Sequence, residues 1–189
     1  MAFKLGPSFR ETQMNAAETE TNLQIAHRII EVTPYRDIYP RLLAKIPEIM
    51  EAWDLKTDQL PWSALEATER QNNLAAVVTR VVDCAMGSES RTIRVSKLVE
   101  AALGHGKARR EQNVSVESLF IDYDIVRTAT WEQLKLMGGE PVMYDAIFTI
   151  DGLLSVASRL TVLGYHKDEM VAGGRWNSQL KILENLILT

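Results

Sequence analysis

The segment 141–165 constrains this chain more than any other. Pro141 suits the first turn of a helix. After it, Val142, Met143, Tyr144, Ile147, Phe148, Ile150, Leu153, Leu154, Val156, Leu160 and Val162 fall on nearly every side of a helical wheel. A helix that is apolar all round must be covered all round, either at the centre of a core or by a second subunit. The rest of the chain therefore has to supply the helices that surround it.

The patterning supplies them. Ile38, Leu42, Ile46, Ile49, Met50 and Trp53 share one face of a helix expected over 37–53, with Pro47 placed to kink or divide it. The stretch 54–61 reads as a loop. Leu74, Val77, Val78, Val81 and Val82 repeat at 3.6 residues and predict a long helix over 63–86, ended by Gly87-Ser88. Val95, Leu98, Val99, Ala102 and Leu103 predict another over 92–112. Gly106 continues its stripe, and a glycine there implies close approach of a neighbouring helix, since it costs about 1 kcal/mol against alanine. Ser115 starts a helix that runs to Met137, with Val116, Leu119, Phe120, Tyr123, Thr130 and Leu134 as its stripe. A short helix over 22–32 and a last one over 168–188 complete the set. Residues 1–20 are polar and patternless and read as a mobile arm; residues 21–189 read as one helical domain. The expected fold is all-α, an up-and-down bundle of five to six helices, open to globin-like packing.

Composition narrows the function. The net charge of −4 leaves no basic excess for neutralising phosphates, so nucleic acid is not an expected partner. No run of about 18 uninterrupted apolar residues suggests a membrane span, and the first 22 residues hold no signal-peptide core. Cys84 is the single cysteine and cannot form an internal disulfide. A cytoplasmic protein is expected.

Few residues carry chemistry. Arg127 lies eleven residues after Val116, four after Tyr123 and seven before Leu134, within an apolar stripe. Asp151 lies seven after Tyr144, four after Ile147 and three before Leu154. A buried charge needs a partner. These two either pair in one interior layer, where removing one would cost roughly 3–5 kcal/mol, or sit at the rim and reach water. His105 and Arg109 are i and i+4 and so are neighbours beside Gly106. His105 can serve as a ligand, a pH switch or a structural hydrogen-bonder. His27 and His166 are isolated, and no spacing suggests a metal site. No phosphate-binding loop, nucleophile elbow or Cys/His pair is present, so no enzyme is expected. The four tryptophans read as core or interface anchors.

The run LVEAALGHGKARREQNVSVESLFIDYDIVRTATWEQL, Leu98 to Leu134, resembles the N-terminal domain of RsbRD-type RsbT co-antagonists, which also precedes the kinase core of many bacterial sensor histidine kinases. The shared pattern is His105, Gly106, Arg109, then Asp122, Tyr123, Val126 and Arg127, with Asp122 where Glu is usual and Asn113 where Gly is usual. The likeness extends over about 37–165. It implies a bacterial stress-response input domain that senses a signal, forms a homodimer and regulates an output protein. No kinase or STAS-like domain follows Tyr165, so the expected output partner is a separate protein, unless the chain is an excised piece. No cofactor is expected. Two other readings stay open: a small-molecule or haem pocket using His105, and an enzyme using Tyr123, Arg127 and Asp151.

Overall fold

The computed structural model describes residues 24–26, 29, 37–57, 67–87, 89–138 and 140–166. Among them every regular element is a helix: α1 Ile38–Leu43, α2 Ile46–Thr57, α3 Ala67–Met86, α4 Arg91–Glu111, α5 Val116–Met137 and α6 Glu140–Tyr165. Residues 24–26 and 29 are helical as well. The protein is an all-α helical bundle. The expected arm at 1–20, the helix at 168–188 and most of that at 22–32 fall outside the described residues.

Local chemistry explains the boundaries. The helix expected over 37–53 is divided at Ala44 and Lys45, so that Pro47 enters α2 as its second residue, where a missing N–H costs nothing. The loop expected over 54–61 is not found at 54–57, where α2 continues to Thr57, whose hydroxyl donates to the Asp54 carbonyl at 2.9 Å; residues 58–61 fall outside the described residues. Ser90 and Ser115 cap α4 and α5, accepting from the Ile93 and Ser118 N–H groups, each at 3.4 Å. Asn113 sits in the left-handed region at φ 57°. Its N–H donates to the Arg110 carbonyl and that of Val114 to the Arg109 carbonyl, both at 3.0 Å, which closes α4 in a Schellman motif. Asparagine tolerates this conformation, so it can stand where the resembled family carries glycine.

Helix α6 contacts α3, α4 and α5. Leu153, Leu154, Ala157 and Leu160 on it are wholly enclosed. So are Leu74, Val77 and Val82 of α3. Burying each large side chain of this kind stabilises the fold by about 1.5–3 kcal/mol. At its start the helix is not enclosed within one chain: Tyr144 is 54% and Phe148 73% exposed. By length and composition Val142–Tyr165 could cross a membrane, contrary to the sequence reading, but 56% of its most apolar window is buried inside the bundle, as in a core helix.

The seam between α4 and α6 is backbone against backbone. A Cβ on Gly106 would lie 1.9 Å from the Thr161 carbonyl oxygen and 2.6 Å from the Tyr165 nitrogen. One on Gly164 would lie 2.2 Å from the Leu103 carbonyl oxygen. Each helix thus carries the glycine that admits the other, which is the close approach expected from Gly106. Helix α5 runs antiparallel to α6, since Tyr123 meets Thr161 while Arg127 meets Ser155.

Candidate functional site

The end of α4, the start of α5 and the middle of α2 converge on a carboxylate. Asp122 is wholly buried, and its Oδ2 accepts from Arg109 Nε at 3.2 Å. Arg109 is itself 1% exposed. Its Nη1 donates to Gln112 Oε1 at 2.9 Å, and its guanidinium carbon stands 5.8 Å from the centre of the Trp53 ring. His105, one turn before Arg109, places Nε2 3.9 Å from Asp122 Oδ2. Neither ring nitrogen of His105 has a hydrogen-bond partner, and neither does Asp122 Oδ1. The Trp53 indole N–H bears on the carboxylate but falls short of full hydrogen-bond geometry. Among the described residues no group of three or more His, Cys, Asp or Glu side chains could hold a metal ion.

Burial decides the protonation states. It pushes the Asp122 carboxyl up to about 6 from its ordinary 3.8, and the Arg109 charge and hydrogen bond recover only part of that. It pushes the His105 imidazole down from 6.5 to about 3, helped by the nearby Arg109 charge. At neutral pH the cluster is therefore Arg109 cationic, Asp122 anionic and His105 neutral.

The two shifts act oppositely on stability. Asp122 takes its proton in the folded chain first, so its contribution grows as pH falls through about 6 toward 3.8. His105 takes its proton in the unfolded chain first, so its contribution is lost as pH falls from 6.5 toward about 3. Replacing His105 with Asn removes the loss and leaves the gain. The stability of His105→Asn relative to wild type should therefore rise steadily on acidification from neutrality. Urea midpoints of both proteins along a pH series test this, and a constant difference would refute it.

The other expected residues take different places. The Tyr123 hydroxyl lies 2.7 Å from Thr161 Oγ1, which donates to the Ala102 carbonyl at 3.1 Å. The threonine proton is thereby used, so Tyr123 donates to Thr161, and this chain of bonds joins α5, α6 and α4. Burial holds the Tyr123 hydroxyl above its ordinary value, so it stays protonated. Arg127 Nε contacts Asp151 Oδ1, so the two do meet. They do so at the rim, with side chains 23% and 37% exposed, and Arg127 also donates to Asp124 at 2.6 Å. Asp151 shares its face with Tyr144 and Phe148, the two exposed aromatics of α6, and this draws it outward. A half-exposed pair of this kind contributes about 0.2–1 kcal/mol. Arg127→Ala should accordingly unfold within about 1 kcal/mol of wild type in urea, not at the 3–5 kcal/mol of a buried pair.

Of the five residues singled out by spacing, the structure gathers His105, Arg109 and Tyr123 in one buried region and sets Arg127 and Asp151 apart. It adds Gln112 and Thr161, together with Trp53, expected only as a member of an apolar face, and Asp122, which the resemblance pattern contained but spacing did not select. Asp122 had a signal: it lies three residues after Leu119 and four before Val126, both enclosed. A stripe through Phe120, which is 51% exposed, turns the wheel away from Asp122 toward Arg127. No family model, curated protein or solved structure matches this chain.

Proposed function

We propose that this chain is a cytoplasmic, non-catalytic bacterial signalling domain that dimerises and regulates an output protein of the kinase or STAS type. The carrying observation is the complete enclosure of its reactive side chains. Asp122, His105 and Arg109 are each at most 1% exposed and touch protein groups. A cluster so placed acts on the packing of its own helices. Its contribution to stability is also poor, since burial outweighs the Arg109 partnership at Asp122. A costly buried charge pair fits a role in register or switching. The exposed Phe148, Tyr144 and Phe120 side chains offer apolar area to a partner. His105 faces Asp122 and stands edge-on to the Tyr123 ring at 6.2 Å, an arrangement that lends nothing to a haem ligand role.

Affinity capture from the protein's own cells tests the reading, wild type against a folded Arg109→Ala variant. Wild type should enrich a kinase or STAS-domain protein that the variant fails to hold. Enrichment of neither class by wild type would overturn the proposal. Light-scattering mass with an absorbance spectrum on the same peak should show a colourless dimer.

A further inference from the structure

We infer that the outer face of α6 is a self-association surface, on which a second copy of this chain lays its own α6 antiparallel, with Ser155 at the crossing point. The inference rests on the dimer proposed above and names the surface that forms it.

The side chains of α6 that the bundle leaves open include one continuous strip. Tyr144, Phe148, Asp151, Ser155, Arg159, Val162 and His166 are each exposed or half-buried. At 3.6 residues per turn they fall within an arc of about 80°. His166 follows the helix end, and its N–H still donates to the Val162 carbonyl at 3.2 Å, which keeps it on the helical track. Tyr144, Ser155 and His166 are spaced eleven residues apart. Eleven residues make three nearly even turns, so the strip runs straight along the helix for about 33 Å.

Two neighbours border the strip. On one flank Arg127 of α5 reaches Asp151 and, through Nη2 at 3.4 Å, Ser155. On the other flank stands Ile29, whose Cδ1 would lie 2.4 Å from a Cβ on Gly152. Neither covers it, since Phe148 is 73% and Tyr144 54% exposed.

The order of residues along the strip identifies its occupant. The intervals are four, three, four, four, three and four, which read the same in either direction from Ser155. An identical helix laid antiparallel on that centre sets the residues opposite one another in matched pairs. Asp151 meets Arg159 of the second copy, and Arg159 meets Asp151 of the second copy. Phe148 meets Val162 and Tyr144 meets His166, each twice. Ser155 meets itself, and its small side chain suits the point where the two axes come closest. This is the self-complementarity that a two-fold interface demands. A parallel copy would set Asp151 on Asp151 and Arg159 on Arg159, and like charges so placed repel. Phe120 adds to the same face. It lies seven residues before Arg127 on the same flank of α5, one turn before the Tyr123 that meets Thr161, and it is 51% exposed. It therefore borders the Val162 end, where Phe148 of the second copy comes down.

The test is light-scattering mass on the full chain, with the folding of each variant checked by circular dichroism. Wild type should be a dimer. Arg159→Asp and Asp151→Arg each place like charges opposite one another twice, and each alone should weaken dimerisation about a hundredfold or more. Mixed in equal amounts, the two variants should form a dimer again, because an aspartate of one then faces an arginine of the other at both places. Ser155→Cys gives a reading that needs neither charge variant to fold. Cysteines at the crossing point should join two chains in a disulfide under mild oxidation, while Thr128→Cys, exposed elsewhere on α5, should not. The native Cys84 is buried. A wild-type dimer in which mixing restores nothing and Ser155→Cys fails to cross-link would overturn the α6 pairing and leave the dimer standing. A wild-type monomer would overturn both. A monomer that loses a captured foreign protein on Phe148→Asp would give the face to that protein, and so overturn the pairing too. Capture of a kinase or STAS-domain protein by wild type, measured separately, decides the regulatory reading whatever the mass shows.

Discussion

Asp122→Ala should destabilise the fold by roughly 3–5 kcal/mol, the cost of breaking a buried ion pair by removing one member. The change takes away the wholly buried carboxylate to which Arg109, itself 1% exposed, donates through Nε at 3.2 Å. A urea midpoint shift of that size at constant slope is the expected measurement. The companion experiment removes both charges. Arg109→Met combined with Asp122→Leu should recover most of the loss, because apolar replacements of similar volume avoid the desolvation of both ions. If the double variant is as unstable as the single one, the pair contributes real stability, and its assignment to switching loses its main physical support.

Gly106→Ala should cost several kcal/mol, more than the about 1–3 kcal/mol typical of overpacking. The added methyl would meet the Thr161 carbonyl oxygen at 1.9 Å and the Tyr165 nitrogen at 2.6 Å, and neither backbone group can rotate away. Helices α4 and α6 would have to part along their whole seam. Gly104, two residues earlier on the same helix, supplies the control, since a Cβ there meets nothing within 4 Å. Gly104→Ala should stabilise by up to about 1 kcal/mol through helix propensity alone. Thermal unfolding of the two variants should therefore shift in opposite directions. Equal effects would mean that the seam can relax.

Much of the fold was legible because periodicity reports burial. The valine-rich stripe of α3 and the capping serines of α4 and α5 state their structure directly. Gly106 announced a close approach, and only its partner Gly164 needed the structure. The site was harder. A helical wheel sorts residues by angle, and a stripe misaligned by one exposed aromatic, Phe120, exchanges the centre for the edge. Arg127 and Asp122 changed places for that reason. Trp53 and Gln112 could not have been reached this way, since their role depends on how α2 and the end of α4 lean on α5. Exposure of Tyr144 and Phe148 likewise depends on where neighbouring helices stop.

The hydrogen-bonded chain from Tyr123 through Thr161 to the Ala102 carbonyl has a mechanical consequence. It fixes α5 at a point immediately beside Asp122 and leaves about 21 Å of helix beyond, at 1.5 Å per residue to Met137. Arg127 fastens that arm to α6 a second time, at Asp151 and Ser155, and Thr130 and Leu134 beyond it are wholly enclosed. Two attachments about one turn apart fix both the sliding register and the tilt of α5 against α6, as two pins hold a plate where one would let it turn.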